Sequence, residues 1–285
     1  MTVLLTGGTG KSATPLANLL LQANQRVILA TRSGKVPEPF TGTQFDWLDA
    51  STYNIPFETD ANIDRIYLIP PPVMDMFSPM KSFIDFAITK GVKRFVLMSA
   101  ALLEKGGPAM GQVHEYLSTL NVEYCAIRPS FFFAPSSDNF LMKAFSERIK
   151  VNNDIVSAAA DGQIGWVSTE DIADVAFKAL VDDKIQHTNP IIVGPELLSY
   201  DKIAAMLSEA VGRTITHTRL TEEEFTEVEI SERGMSEAYA RMMSSMDIFI
   251  SKGAEERLFH RADVIGKRTM RDFIQANKDA WVTSN

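Results

Sequence analysis

The apolar residues of the first half fall in short runs separated by helical spacings. Val3–Thr6, Val27–Thr31, Arg65–Ile69, Arg94–Ser99 and Glu123–Arg128 read as buried strands, with a weaker strand at Thr43–Phe45. Between them, Thr14–Ala23 places Leu16, Leu19 and Leu20 on one face, and Met80–Thr89 places Phe83, Phe86 and Ala87 in helical register. Val113–Leu120 is a shorter helix. Strands that alternate with helices predict parallel βαβ units, and hence an α/β fold of Rossmann type with a doubly wound parallel sheet.

The texture changes after Pro129. An aromatic run, Phe131-Phe132-Phe133, leads into a loop at Ala134–Ser137. Asp171–Leu180 predicts an amphipathic helix capped by Ser168 or Thr169, and Pro190–Val193 a further strand. Ser199 opens a helix through Ala210, stopped at Gly212. The acidic stretch Glu222–Glu229 reads as a solvated helix face. The expected organisation is a dinucleotide-binding domain over 1–128 and a smaller C-terminal substrate lobe over 129–285, with segments of the latter returning to the sheet.

The first turn carries the chemistry. Strand Val3–Thr6 runs into Gly7-Gly8-Thr9-Gly10-Lys11-Ser12-Ala13 and then a helix. Glycines there allow a tight turn and bring backbone N–H groups close to a pyrophosphate, which the helix N-terminus then faces. Lys11-Ser12 suggests a Walker-type loop, but that motif needs glycine where Leu5 stands. After the second strand, Arg32 and Ser33 occupy the place where an acidic residue would hold a ribose 2′-hydroxyl. A guanidinium fork suits a 2′-phosphate, so NADP(H) is the expected cofactor.

Composition narrows the classes. With 285 residues, 45% of them hydrophobic, the chain is long enough for a sizeable core. A net charge of −8 without a basic stripe argues against nucleic-acid binding. No apolar run approaches a membrane span and no secretory pattern opens the chain, so a cytoplasmic protein is expected. The lone cysteine, Cys125, predicts a buried strand thiol and allows neither a disulfide nor a thiolate metal site. No metal is expected.

The usual proton-delivery pair of short-chain dehydrogenases is missing. The stretch after the fifth strand, Ala100–Gly111, has no tyrosine, and Tyr116 is followed four residues later by Leu120 rather than lysine. Either the protein does not catalyse or its substrate needs only hydride.

Several phrases resemble the fungal agroclavine/festuclavine dehydrogenases of ergot alkaloid biosynthesis, which are NmrA-like atypical short-chain dehydrogenases. They are Leu5-Thr6-Gly7-Gly8-Thr9-Gly10-Lys11, Phe45-Asp46-Trp47-Leu48, Pro70-Pro71-Pro72, Lys105–Gly111, Gly194–Asp201 and Gly212–His217. The resemblance spans nearly the whole chain. It implies NADPH-dependent reduction of a cyclic iminium formed when chanoclavine-I aldehyde closes its ring, a reaction that hydride alone completes. It also implies cofactor contacts from Gly7, Gly8, Thr9, Gly10, Lys11, Ser12, Arg32, Ser33, Asp46, Trp47, Pro70, Pro71, Ser99, Ala100, Pro129 and Phe131. Phe132, Phe133 and Trp166, with Phe131, are candidates for an apolar wall against an indole-bearing substrate, lobe packing being the other reading. His114 and Tyr116 are further candidates at the site, with a plain surface or core role as the alternative.

Two segments depart from the family. Ser130-Phe131-Phe132-Phe133-Ala134-Pro135 stands where the family reads Thr-Trp-Phe-Met-Glu-Asn, and Gly165-Trp166 replaces Pro-Phe. Both bear on the substrate more than on the reaction type. The sequence also admits two other readings: a non-catalytic NADP sensor, and a reductase of another small imine or carbonyl compound.

Overall fold

The computed structural model describes residues 1–134 and 140–282, the side chains of 140–145 excepted. In chain order the strands and helices begin with β1 (Thr2–Thr6), α1 (Ala13–Gln22), β2 (Arg26–Thr31), β3 (Thr41–Gln44), α2 (Ile55–Thr59), β4 (Ile63–Leu68) and α3 (Phe77–Thr89). Then come β5 (Arg94–Met98), α4 (Met110–Thr119), β6 (Glu123–Pro129), β7 (Phe132–Phe133), α5 (Phe140–Val151), β8 (Asp154–Ser157) and β9 (Val167–Ser168). They continue with α6 (Thr169–Val181), β10 (Ile191–Val193), α7 (Tyr200–Val211), β11 (Thr216–Arg219) and α8 (Glu222–Ser231). The last are α9 (Glu237–Ser251), α10 (Ala254–Phe259), β12 (Val264–Ile265) and α11 (Met270–Ala276).

These elements form two compact units. The first comprises Met1–Pro129 and Thr169–Ile192, the second Ser130–Ser168 and Val193–Asn285.

In the first unit the strands run in the order β10-β6-β5-β4-β1-β2-β3, all pairs parallel. β1 lies between β2 and β4, so the chain leaves in opposite directions on its two sides. This is the switch point at whose strand ends doubly wound folds bind ligands. Leu4, Ile66, Phe95 and Leu97 are fully buried, as the near-continuous apolar runs of a covered parallel sheet require. α1 buries Ala13, Leu16, Ala17 and Leu20 and packs on α6. The fold class is the Rossmann-type α/β one read from the sequence.

A buried arginine closes α6. Arg94, 2% exposed, donates to the carbonyls of Ala179, Leu180, Asp182 and Asp183 and pairs with Glu123. One guanidinium thus serves the unpaired carbonyls at the helix C-terminus, where a cation is also favoured. At the other end α6 begins at Thr169, whose buried hydroxyl has no partner. Thr169 is therefore the first helical residue and not the side-chain cap, and Ser168 is left as the flanking residue.

The second unit builds its own core from Phe133, Ile155, Trp166, Tyr200, Leu207, Ile250 and Trp281. Two small parallel sheets, β8–β11 and β7–β9, organise it. β12 follows the same unit, with the Gly266 N–H on the Val193 carbonyl at 2.7 Å. Ser199 accepts from the Lys202 N–H and Gly212, at φ +70°, ends α7, as the sequence signals specify. The acidic stretch is not a wholly solvated face. α8 buries Phe225, Thr226 and Glu229, and Glu229 pairs with Arg233 one turn on.

Candidate active site

The phosphate-type loop sits at the switch point. Gly7 has φ +58°, and the Gly10 N–H closes the turn on the Gly7 carbonyl at 2.7 Å. Gly8 is buried against β2: a Cβ there would lie 2.6 Å from the Leu29 Cβ. A Cβ on Gly10 would meet the Gly7 carbonyl oxygen at 2.9 Å. Glycine is therefore required by the loop's own closure as well as by any approach of a ligand. Thr9 and Gly10 are exposed, and Lys11 is half-buried.

Ser12 is placed differently from a phosphate ligand. It is 6% exposed, caps α1 with no side-chain bond, and accepts from the buried Tyr67 hydroxyl at 3.2 Å. Burial pushes the Tyr67 hydroxyl to a higher pKa, which keeps it a neutral donor. No side chain caps α1; in its first turn the Thr14 N–H is taken by the Gly10 carbonyl at 2.9 Å and Pro15 has no N–H, which leaves the Ala13 N–H nearest the loop. Thr6 completes the arrangement. Its hydroxyl donates to the Tyr67 carbonyl and accepts from the Ile69 N–H at 2.8 Å, tying the end of β1 to the end of β4. Neither Thr6 nor Tyr67 stands out in the sequence, because a threonine and a tyrosine inside strands look like ordinary strand residues.

Arg32 and Ser33 follow β2 directly and are exposed. Arg32 makes no hydrogen bond or ion pair with the described residues, so its fork is free to take an anion. Ser33 accepts from the Lys35 N–H at 3.3 Å. After β3, Asp46 accepts from the Leu48 N–H, and the Trp47 indole donates to the Ile69 carbonyl at 3.1 Å while packing edge-on against Phe45. That bond links the Trp47 turn to the end of β4. Pro70 is half-buried and Pro71 buried beyond it.

At the ends of β5 and β6, Ser99 is 4% exposed and its hydroxyl has no partner. The Ala101 N–H bonds the Pro129 carbonyl at 2.8 Å, which fixes Ala100 beside Pro129. Arg128, 2% exposed, donates to the Ala101 carbonyl at 2.7 Å and pairs with Glu104. These bonds hold the loop after β5 against the end of β6.

The two titratable candidates of α4 have different surroundings. Tyr116 donates to the Asp85 carboxylate of α3, and the Lys81 ammonium sits 4.8 Å from its ring centroid. Its hydroxyl belongs to the α3–α4 pair. His114 is buried, packs on Tyr124 near the start of β6, and has its Nδ1 unpartnered. Burial first, and then the Arg128 guanidinium, push its pKa down to about 4, so the ring is neutral at physiological pH.

In the second unit the aromatic candidates separate. Phe133 is 3% and Trp166 1% exposed, and both belong to the core, with Phe133 on Phe273 and Trp166 on Tyr200. For these two the packing reading holds. Phe131 and Phe132 are half-buried, and Phe131 meets Trp166 at 5.9 Å between centroids. Pro135, at the end of the departing segment, lies outside the described residues.

The second unit also contains a Ser–His–Asp chain. Ser157 Oγ is 2.8 Å from His217 Nε2, and His217 Nδ1 is 3.1 Å from Asp201. Ser157 has no exposed surface and accepts from the Ala159 N–H, so this chain ties β8 to β11 and α7 and offers no nucleophile to a substrate. Among the described residues there is no group of three metal-ligating side chains, and no helix is long and apolar enough to cross a membrane.

The chain is 41% identical over 291 residues to an agroclavine dehydrogenase of Claviceps fusiformis, covering 99% of both proteins. It is equally 41% identical over 290 residues to a festuclavine synthase II of Penicillium roqueforti, covering 99% of the chain and 100% of the relative. The chain belongs to the agroclavine dehydrogenase and festuclavine synthase family of oxidoreductases. Among solved structures, an NADPH-dependent quinone oxidoreductase of Escherichia coli, crystallised with NADPH, shares the fold. Its TM-score is 0.76 at 19% identity, with 96% of this chain and 99% of that one covered. No protein-family model matches the chain.

Proposed function

We propose that this protein is an NADPH-dependent reductase of a cyclic iminium in a clavine-type ergot alkaloid intermediate derived from chanoclavine-I aldehyde. The observation that carries the reading is full-length kinship, at 41% identity, with proteins named for agroclavine and festuclavine.

The residues present fit the cofactor. Gly7–Gly10 form a closed turn in which a Cβ at Gly10 would strike the loop, and α1 carries no side-chain cap. Arg32, exposed after β2 and without a partner among the described residues, is available to a 2′-phosphate. The buried, unpartnered Ser99 hydroxyl supplies a hydrogen-bonding group at the end of β5. In this reading Gly7–Lys11 hold the pyrophosphate and Ser12 supports the loop through Tyr67. Arg32 and Ser33 take the 2′-phosphate, and Asp46, Trp47, Pro70 and Pro71 flank the adenosine end. Ser99, Ala100 and Pro129 line the nicotinamide end, with Phe131 two residues further along the chain. The bound cofactor supplies hydride.

The side chains then have little acid–base work. An iminium carbon is already electrophilic, and its reduction gives a neutral amine without proton donation. Tyr116 is engaged with Asp85, and His114 is a buried neutral ring. Neither arrangement suits a general acid, and a hydride-only substrate needs none. A half-buried phenyl such as Phe131 or Phe132 favours a flat, cationic, indole-bearing substrate through stacking and cation–π attraction. The partner is a small molecule; an acidic chain with a lone buried thiol suits a cytosolic enzyme.

The test is NADPH oxidation by purified protein with a cyclic iminium and, separately, with simple ketones. Turnover of the iminium with little turnover of ketones is expected. No oxidation with either, despite NADPH binding, would favour a non-catalytic NADP-binding protein instead.

A further inference from the structure

The second unit holds the segment after Pro129 by an unusual contact. Ser130 is 4% exposed and donates its hydroxyl to Glu255 Oε2 at 2.5 Å. Glu255, in α10, is 1% exposed. A carboxyl is costly to bury, and one hydroxyl partner compensates only part of that cost.

What the contact fixes is the phenyl that follows. Phe131 is held on its other side by the Val167 N–H, which bonds the Phe131 carbonyl at 2.9 Å. Beyond it, Phe132 and Phe133 pair with Val167 and Ser168. The same helix also meets the Gly165 segment. A Cβ on Gly165 would lie 2.9 Å from Phe259 Cδ2, at the end of α10, and Gly165 is joined to Trp166, the edge-on neighbour of Phe131. One six-residue helix therefore bears on both segments that flank Phe131: Ser130 through Glu255, and Gly165 through Phe259.

We propose that Glu255 is a positioning residue that, through Ser130, sets the orientation of Phe131 and thereby the substrate preference of the enzyme. The proposal rests on the reading of Phe131 as a substrate contact given above. Glu255 does not touch the reacting atoms; it acts by fixing the backbone one residue before the phenyl. A bond between two buried groups 125 residues apart leaves Ser130 little freedom, and a displacement on the order of 1 Å at a site can cost about a hundredfold in rate.

The experiment compares Glu255→Gln, Glu255→Leu and Ser130→Ala in the full chain. NADPH affinity is measured by titration, kcat and KM with the cyclic iminium and with a smaller cyclic imine, and side-chain packing by near-ultraviolet circular dichroism. Glutamine keeps an acceptor for Ser130, so Glu255→Gln should stay within about threefold of the parent. Glu255→Leu and Ser130→Ala should each lose at least tenfold in kcat/KM for the iminium. The loss for the smaller imine, which needs less of the phenyl, should be several-fold smaller. NADPH affinity should be unchanged in all three. Folded Leu and Ala variants with parental kcat/KM and parental selectivity overturn the proposal. So does an equal loss for both substrates in both variants, which would mean a general structural effect. If Glu255→Leu fails to fold, the Ser130→Ala result decides alone. Failure of the parent protein to reduce any iminium would strike the underlying functional reading, and is seen before any variant is made.

Discussion

Tyr116 donates its hydroxyl to Asp85, so the tyrosine nearest in sequence to the place of a short-chain dehydrogenase acid is bound to α3 instead. Lys81 completes the group by pairing with Asp85 at 2.7 Å. Burial first, and then the Asp85 carboxylate, hold the tyrosine's pKa up, the opposite of what a catalytic tyrosine needs. Tyr116→Phe should therefore leave iminium turnover within about tenfold, where loss of a true general acid costs about 10²–10⁴-fold. Steady-state kinetics of the purified variant decide it, and an inactive, folded Tyr116→Phe would restore a proton-donating role.

Arg32 tests the choice of cofactor. An exposed guanidinium at the end of β2, with no partner among the described residues, should bind a 2′-phosphate by charge-assisted hydrogen bonds. Arg32→Ala should weaken NADPH by about 1–3 kcal/mol and leave NADH nearly unaffected. Calorimetric titration with both cofactors measures this directly. Equal losses would remove Arg32 from the phosphate site.

Gly10→Val addresses the loop. Its Cβ would press on the Gly7 carbonyl at 2.9 Å, which must open the turn closed by the Gly10 N–H. Gly10 is exposed, so the sheet should survive while NADPH binding is lost. A variant with parental melting temperature and parental NADPH affinity would place the phosphate site elsewhere.

The second unit carries a pH-dependent liability. Asp247 is 3% exposed and accepts from the Ala158 N–H at 2.9 Å. Burial first, and the nearby Glu229 carboxyl among the remaining causes, raise its pKa from 3.8 to about 7. The folded protein therefore keeps a proton that the unfolded chain releases above its ordinary value. The stability from this group is present in full below about 3.8 and is lost as the pH rises through 7. A gap of that size corresponds to at most roughly 4 kcal/mol. Asp247→Asn, which keeps an acceptor for Ala158, should raise the midpoint of denaturant unfolding at pH 8 and change it little at pH 4. A gain of the same size at both pH values would show that charge is not the cause.

Much of this was legible in the sequence, for a physical reason. β1, the glycine turn and α1 are contiguous, and each glycine answers a local demand of turn closure or strand packing, so the motif carries its own geometry. The unpaired Arg32 is likewise fixed by its position at a strand end. Contacts between distant residues left no local trace. Glu255 lies in a charged stretch, Glu255-Glu256-Arg257, and nothing there marks one of the two acids as buried against Ser130. Arg94 opens a strand and caps a helix that ends almost ninety residues later. Trp166 and Phe133 look from their type like substrate contacts, yet both are core, because an aromatic residue beside a short strand serves either purpose equally well.

Hydride delivery from NADPH to an iminium carbon leaves the transferred hydrogen on a carbon bonded to nitrogen. The most direct measurement incubates the purified protein with chanoclavine-I aldehyde and NADPH carrying deuterium at the transferred position, then locates the label in the product by mass spectrometry and nuclear magnetic resonance. A ring-closed clavine amine with a single deuterium on the carbon that was doubly bonded to nitrogen is expected. An open-chain alcohol labelled at the former aldehyde carbon would contradict it and identify a carbonyl reductase.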